Sequence, residues 1–299
     1  MARTTPGKIA DVRRALVLAG GGVAGIAWEL GVLLGLTETE PALASWVEAD
    51  LVVGTSAGSS VGAQVTSGTP LADLYASQLD ARSPEIPVDI DLQAFVARLQ
   101  AATASATSLA DVRRLIGAFA LAADTVPEAD RRAVIAARLP RHSWPDGDLR
   151  VVAVDAETGD RVVFTSASGV GLVDAVAASC AVPGVWPPVT VGGRRYVDGG
   201  VWSGANADLG AGADEVLVLT PTLPDAPAML GRPLGDELAE LGAARVHVIH
   251  ADDASVAAFG TNPLDASTRA PSAVAGREVG RAAAARVASA SEADEGLRD

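Results

Sequence analysis

Three glycine-framed stretches of this 299-residue chain hold residue types that could do chemistry: GGGVAG at 20–25, GTSAG at 54–58 and DGG at 198–200. Ser56 stands between Gly54 and Gly58, with an apolar run at 51–53 before it and small residues at 59–63 after it. That is the strand–turn–helix setting of a G-x-S-x-G nucleophile elbow, in which small flanking residues permit a sharp bend. A serine used only for close packing would suit the same five residues. The 20–25 stretch also follows an apolar run, at 15–19, and opens another, at 26–36. Backbone N–H groups of such a turn and helix start converge on one spot, where they stabilise a phosphate or an oxyanion. Gly20, Gly22 and Gly25 satisfy the dinucleotide-binding spacing as well. That motif calls for an acidic residue near the end of the next strand, and this chain has Gly54-Thr55-Ser56 there. Asp198 is followed by Gly199 and Gly200, so its carboxylate either faces a cleft without competing side chains or makes a plain Asp-Gly turn.

A nucleophilic serine needs a base. The chain has three histidines, His142, His247 and His250. Ser56, Asp198 and His250 follow the chain order of α/β-hydrolase triads, and His250 ends a predicted strand. A serine this early, however, leaves room for few strands before the elbow. Cys180 is the only cysteine, so an intramolecular disulfide and a four-cysteine zinc site are excluded. No H-E-x-x-H or comparable ligand spacing occurs, and neither a metal nor a cofactor is expected. The arginine pairs 113–114 and 131–132 are read as solvated helix faces, with contact to lipid phosphate as the rival reading. Trp186 and Trp202 flank the Asp198 hairpin, where they line an acyl pocket or pack in the core.

The elements that must hold these residues follow from periodicity and turn chemistry. Two successive strand–glycine–helix units, 15–36 and 51–66, predict a parallel α/β sheet. Residues 69–140 change character. Thr69 and Pro70 suit a helix start, and two helical faces recur around 92–99 and 109–119. A further helix is expected from about 127 to 138, making this region a helical insertion after the elbow. Hairpins are expected at 149–165 and 189–197, a helix at 171–180, and buried strands at 215–219 and 245–249. An alanine-rich helix spans about 267–290, and 291–299 is an acidic tail.

Apolar residues make up 49% of the chain and charged residues 20%, as in a globular enzyme rather than a disordered chain. The net charge of −14 repels nucleic acid and anionic membranes, so no nucleic-acid partner is expected. Arg13-Arg14 before the apolar stretch 15–36 imitates a signal peptide or membrane span. The consecutive glycines 20–22 and the acidic Glu29 argue instead for strand, turn and buried helix. The expected location is cytoplasmic, with transient contact to a membrane surface allowed.

Taken together, GGGVAG, GTSAG and DGG, in this order and with SCAVPGVWPPV at 179–189, resemble the patatin-like phospholipases over about residues 13–220. The resemblance implies a mostly parallel central sheet flanked by helices. It implies Ser56 as nucleophile, Asp198 as its base, and Gly20, Gly21 and Gly22 as the oxyanion hole. Gly25, Gly54, Gly58, Gly199 and Gly200 support the motifs. It further implies a lipid acyl hydrolase of phospholipase A, lysophospholipase or esterase type, working through a Ser-Asp dyad and a covalent acyl-enzyme on an acyl lipid or ester. The alternatives are a nucleotide- or phosphate-binding protein using the 20–25 turn, or a non-catalytic member of the family. The hydrolase domain is expected over 13–250, insertion included, with 251–290 as a helical segment packed on it. One departure stands out: Ala24 occupies a position where the family commonly has Lys or Arg. Either the backbone N–H groups suffice there or another arginine substitutes; Arg194 and Arg195, on the hairpin leading to Asp198, are the candidates, against the reading that both are solvated.

Overall fold

The computed structural model describes residues 12–88, 90–226 and 231–292. The acidic tail expected at 291–299 lies almost wholly outside them. Strands β1 (Arg14–Leu18) and β2 (Leu51–Thr55) are buried along nearly all their length. They therefore read as continuous apolar runs rather than alternating ones. Each turns at its C-terminal end into a helix, α1 (Gly22–Thr39) and α2 (Ala57–Val65). These are the two expected strand–glycine–helix units, with α1 starting four residues earlier than its apolar run.

Helix α1 is buried from Val23 to Leu36 and is apolar on every side. The sheet covers one side, and the C-terminal helix α10 (Arg269–Glu292) covers another. The two helices lie backbone against backbone. A Cβ on Gly31 would fall 2.3 Å from the Ala273 carbonyl oxygen, and one on Gly280 would fall 2.2 Å from that of Val32. The glycines that argue against a membrane span thus have a packing reason. No described helix is long and apolar enough to cross a membrane.

Between α2 and the next strand come α3 (Leu71–Leu79), α4 (Leu92–Thr103), α5 (Leu109–Ala122) and α6 (Glu128–Arg138), the expected helical insertion. Pro70, not Thr69, occupies the cap position of α3. Asp91 and Ser108 cap α4 and α5 through their side chains. The chain continues as β3 (Asp148–Asp155), β4 (Arg161–Phe164), α7 (Leu172–Ser179), β5 (Val189–Val191), β6 (Arg194–Asp198), β7 (Glu215–Thr220), α8 (Leu234–Ala239), β8 (Arg245–His250) and α9 (Asp253–Phe259) before α10. Helix α8 has no counterpart in the sequence reading, while α9 falls within the helical segment expected over 251–290.

One sheet of eight strands results, in the order β5-β6-β3-β2-β1-β7-β8, with β4 also paired to β3. The core from β3 through β8 is parallel, and the hairpin strands add antiparallel pairs. The sheet is therefore mixed, with its parallel part at the centre. Strand β3 decides the geometry that matters. Its residues 148–152 pair with β2, and its residues 153–155 pair with β6.

Candidate active site

The register along β3 brings two of the sequence motifs together. Thr55, at the end of β2, pairs with Val152, and Asp198, at the end of β6, pairs with Ala153. A Cβ on Gly199 would lie 2.4 Å from the Val152 carbonyl oxygen and 3.2 Å from Thr55 Cγ2. Glycine at 199 is thus what lets the Asp198 turn close against the end of β2.

Ser56 has φ 54° and ψ −116°, and with Asn206 it is one of two described non-glycine residues at positive φ. Such a conformation costs about 1–3 kcal/mol and persists only where the surroundings impose it. Here they do. The Ser56 N–H donates to Ser179 Oγ at 2.9 Å. Its carbonyl accepts from Ser59 Oγ at 2.7 Å and from Cys180 Sγ at 3.1 Å. These bonds engage the Ser56 backbone and not its hydroxyl. Gly58 lets α2 run tightly beneath β1, since a Cβ there would fall 2.0 Å from the Leu18 carbonyl oxygen. At Gly54 a Cβ would fall 2.5 Å from the Gly58 carbonyl oxygen.

Asp198 is buried. Its Oδ1 accepts from the Gly200 N–H at 2.8 Å, and no described residue completes a hydrogen bond of standard geometry to Oδ2. Burial raises the carboxyl from the ordinary 3.8 to about 6, against the opposing pull of the neighbouring Ser56 hydroxyl, the Gly200 N–H and the Arg131 charge. The Ser56 hydroxyl is thus one of the groups that favour the carboxylate form of Asp198. A buried carboxylate with one vacant oxygen next to a hydroxyl is suited to taking its proton.

The 20–25 turn closes the third side. Gly20 donates its N–H to the Gly204 carbonyl at 2.8 Å, and its Cα faces Ser56, whose Cβ would lie 3.5 Å from a Cβ on Gly20. That bond commits Gly20 as a brace. It leaves Gly21 and Gly22, the other two expected oxyanion donors, with N–H groups that reach no described acceptor, and Val23 shares this property. Gly22 sits at φ +65°, and Pro221, Pro263 and Leu264 cover the turn on its other side. Loop 203–206 ties the pieces together: Asn206 Nδ2 donates to Thr55 Oγ1 at 3.1 Å, so the loop that braces Gly20 also holds the end of β2.

Several expectations do not hold. Ala24 is fully buried and donates its N–H to the Pro263 carbonyl at 2.9 Å, and its candidate cationic substitutes are occupied elsewhere. Arg194 pairs with Asp155 at 2.7 Å with its side chain 58% exposed, and Arg195 donates to the Pro188 carbonyl at 3.1 Å. The expected solvated face at 131–132 is half wrong: Arg132 meets Asp174 at the surface, but Arg131 is only 4% exposed. Arg114 pairs with Asp111 at the surface, while Arg113 lies over the Trp202 ring, 4.0 Å from its centroid. Trp186 lies beneath Arg131. His250 ends β8, three strands from β2 in the sheet, roughly 14 Å away at the usual strand spacing. His247, on the same strand, packs edge-on against Trp46. His142 is exposed and contacts the Ala136 carbonyl. Cys180 is buried, and burial raises its thiol, so it serves as a neutral donor to the elbow. Among the described residues no group of His, Cys, Asp and Glu is arranged to hold a metal.

Solved structures with a related course of the chain include VipD from Legionella pneumophila, with 13% identity over 91% of this chain and 67% of that one at a TM-score of 0.43. Another is the type III effector protein ExoU, with 17% identity over 90% of this chain and 53% of that one at a TM-score of 0.37. The family model of the patatin-like phospholipases matches residues 16–210, which include the elbow, the glycine turn, Asp198, the last three residues of β1, and β2 through β6. With that match over more than half its length, the chain belongs to the patatin-like phospholipases, a family of lipid hydrolases.

Proposed function

We propose that this protein hydrolyses a carboxylic ester of an acyl lipid with a Ser56–Asp198 dyad. The observation that carries the reading is the juxtaposition of a strained, backbone-pinned serine with a buried carboxylate that keeps one oxygen free. As Ser56 Oγ attacks the acyl carbonyl carbon, its proton passes to Asp198 Oδ2. The carbonyl oxygen becomes an oxyanion facing the N–H groups of Gly21 and Gly22. Collapse breaks the ester bond, and the alcohol leaves with the proton that Asp198 holds. Water then gives a proton to Asp198 as it attacks the acyl carbonyl carbon, and on collapse Asp198 returns that proton to the departing Ser56 Oγ, releasing the fatty acid and restoring both residues.

A carboxylate is a weak base toward an alcohol, so the oxyanion donors carry much of the barrier reduction. Losing one such donor costs about 2.7–4 kcal/mol in characterised cases. Burial helps from the other side, because a base with pKa near 6 is better matched to neutral pH than an ordinary aspartate.

The experiment is covalent labelling with a fluorophosphonate followed by peptide mapping, on the natural protein and on Asp198→Asn. A single adduct on Ser56 that Asp198→Asn slows supports the reading. No adduct, together with thermal stabilisation by NAD or ATP, would move the 20–25 turn to nucleotide binding.

A further inference from the structure

A charge count in the buried region beside the dyad leads to the insertion helix α6. Glu85 faces two arginines of that helix. Arg138 takes both its oxygens at 2.6 Å, whereas Arg131 reaches it only at 3.4 Å. All three side chains are less than 10% exposed. One carboxylate thus faces two guanidinium groups, and a buried positive charge is left over. Such a charge is costly unless something of opposite sign lies close.

Arg131 reaches the turn at 182–186, whose Trp186 N–H donates to the Val182 carbonyl, and the preceding residue Ala181 accepts from the Asp198 N–H. Its guanidinium carbon lies over Trp186, 3.9 Å from the ring centroid, and its Nε is buried without a hydrogen-bond partner. Its charge acts on Cys180, whose Sγ donates to the Ser56 carbonyl, and on Asp198, whose N–H donates to the Ala181 carbonyl. The other groups facing Asp198 are neutral: the Ser56 hydroxyl, the Gly200 N–H and the Cys180 thiol. Asp155, two residues along β3 from Ala153, is matched by Arg194. Counting Glu85, Arg131, Arg138 and Asp198 together, the buried charges balance only when Asp198 is ionised.

We infer that Arg131, delivered by the helical insertion, is a positioning residue that holds Asp198 as a carboxylate beside Ser56. The inference rests on the dyad reading. It gives the insertion a role in the chemistry, since without α6 the base would lose the one buried cation that acts on it.

The test compares Arg131→Met, which keeps a side chain over Trp186 and removes the charge, with Arg131→Lys, which keeps the charge. The Asp198 carboxyl is followed by 13C NMR, assigned by its loss in Asp198→Asn, and Ser56 labelling by a fluorophosphonate is timed across pH. Arg131→Met should move the carboxyl titration up by about one pH unit, in line with the usual effect of an opposite charge. Its labelling loss should then be about tenfold larger on the acid side than at pH 8, as that shift requires. Arg131→Lys should stay near the natural protein in both readouts. Should Arg131→Met not fold, Glu85→Gln, which enlarges the excess positive charge, should move the titration down. An unmoved titration in a folded variant, or an equal loss at every pH, overturns the inference. A natural protein that neither labels nor cleaves esters, with the carboxyl still responding to Arg131→Met, would sink the hydrolase reading and leave the charge coupling standing.

Discussion

Thr55 and Asp198 pair with successive residues of β3, Val152 and Ala153, although 143 positions separate them in the chain. The nucleophile elbow and the aspartate turn are thereby set by strand register rather than by a flexible loop. Register slips of one residue reverse side-chain faces, so this placement is held firmly.

The two dyad residues should be separable from the histidines. Ser56→Ala and Asp198→Asn are each expected to lower p-nitrophenyl ester turnover by about 10³-fold or more, as loss of one member of a cooperating catalytic set does. His250→Ala should retain turnover, because β8 lies three strands from β2. Steady-state assays on purified, folded variants check this, and a dead His250→Ala enzyme would restore a triad.

Turnover should fall on the acid side of about pH 6, because Asp198 must be ionised to accept the serine proton and burial places its pKa there. The measurement is kcat/KM against pH on a neutral ester. A limb near pH 4, where an ordinary aspartate titrates, would contradict the burial argument.

The same raised pKa makes Asp198 a cost to folding above that range. Below pH 3.8 the carboxyl is protonated in both folded and unfolded chains and its ionisation costs nothing. As pH rises through about 6 the folded chain must ionise it in a buried site, and stability is lost. The difference between 3.8 and about 6 corresponds to about 3 kcal/mol. Asp198→Asn should therefore gain stability, relative to the natural protein, between pH 4 and pH 8. Urea denaturation at the two pH values reads it, and a pH-independent difference would count against it.

The elbow glycine at 58 has no spare room. Gly58→Ala would place its Cβ 2.0 Å from the Leu18 carbonyl oxygen, whereas a Cβ on Gly147 meets nothing within 4 Å. Gly58→Ala is expected to cost about 3 kcal/mol, at the upper end for overpacking. Gly147→Ala should be close to neutral, and denaturant midpoints compare the two.

Glu29 is wholly buried in α1, and neither carboxylate oxygen has a described partner. Burial raises its pKa well above the usual value, with only the Ala19 N–H opposing. Its contribution is lost as pH rises through that raised pKa. Glu29→Met should therefore stabilise the fold by about 1–3 kcal/mol, the usual penalty of a buried unsatisfied group. The gain should grow toward alkaline pH in thermal melts.

Residues 14–65 were nearly all legible, because apolar runs broken by glycine carry both their element type and the reason for each turn. Gly54, Gly58 and Gly199 could be singled out as small residues, but what each avoids, the carbonyls of Gly58, Leu18 and Val152, is long-range except for the first. Arg131 and Arg132 show the limit most clearly. Adjacent in sequence and alike in chemistry, they part because a helix turns one residue inward over Trp186 and the next outward to Asp174. No local signal distinguishes them, since helix rotation is set by what the helix packs against.

By itself the sequence determined which groups could react, the order of the parallel strands' building units, and that this sequence holds no intramolecular disulfide, because residue type and periodicity are local properties. Tertiary structure decided which groups meet. It brought the ends of β2 and β6, with Ser56 and Asp198 beside them, together on β3, gave the Gly20 N–H to the Gly204 carbonyl, set His247 and His250 on β8, three strands from β2, and buried Arg131 of the insertion. Each of these depends on distances across the sheet and between layers, which chain order does not encode position by position.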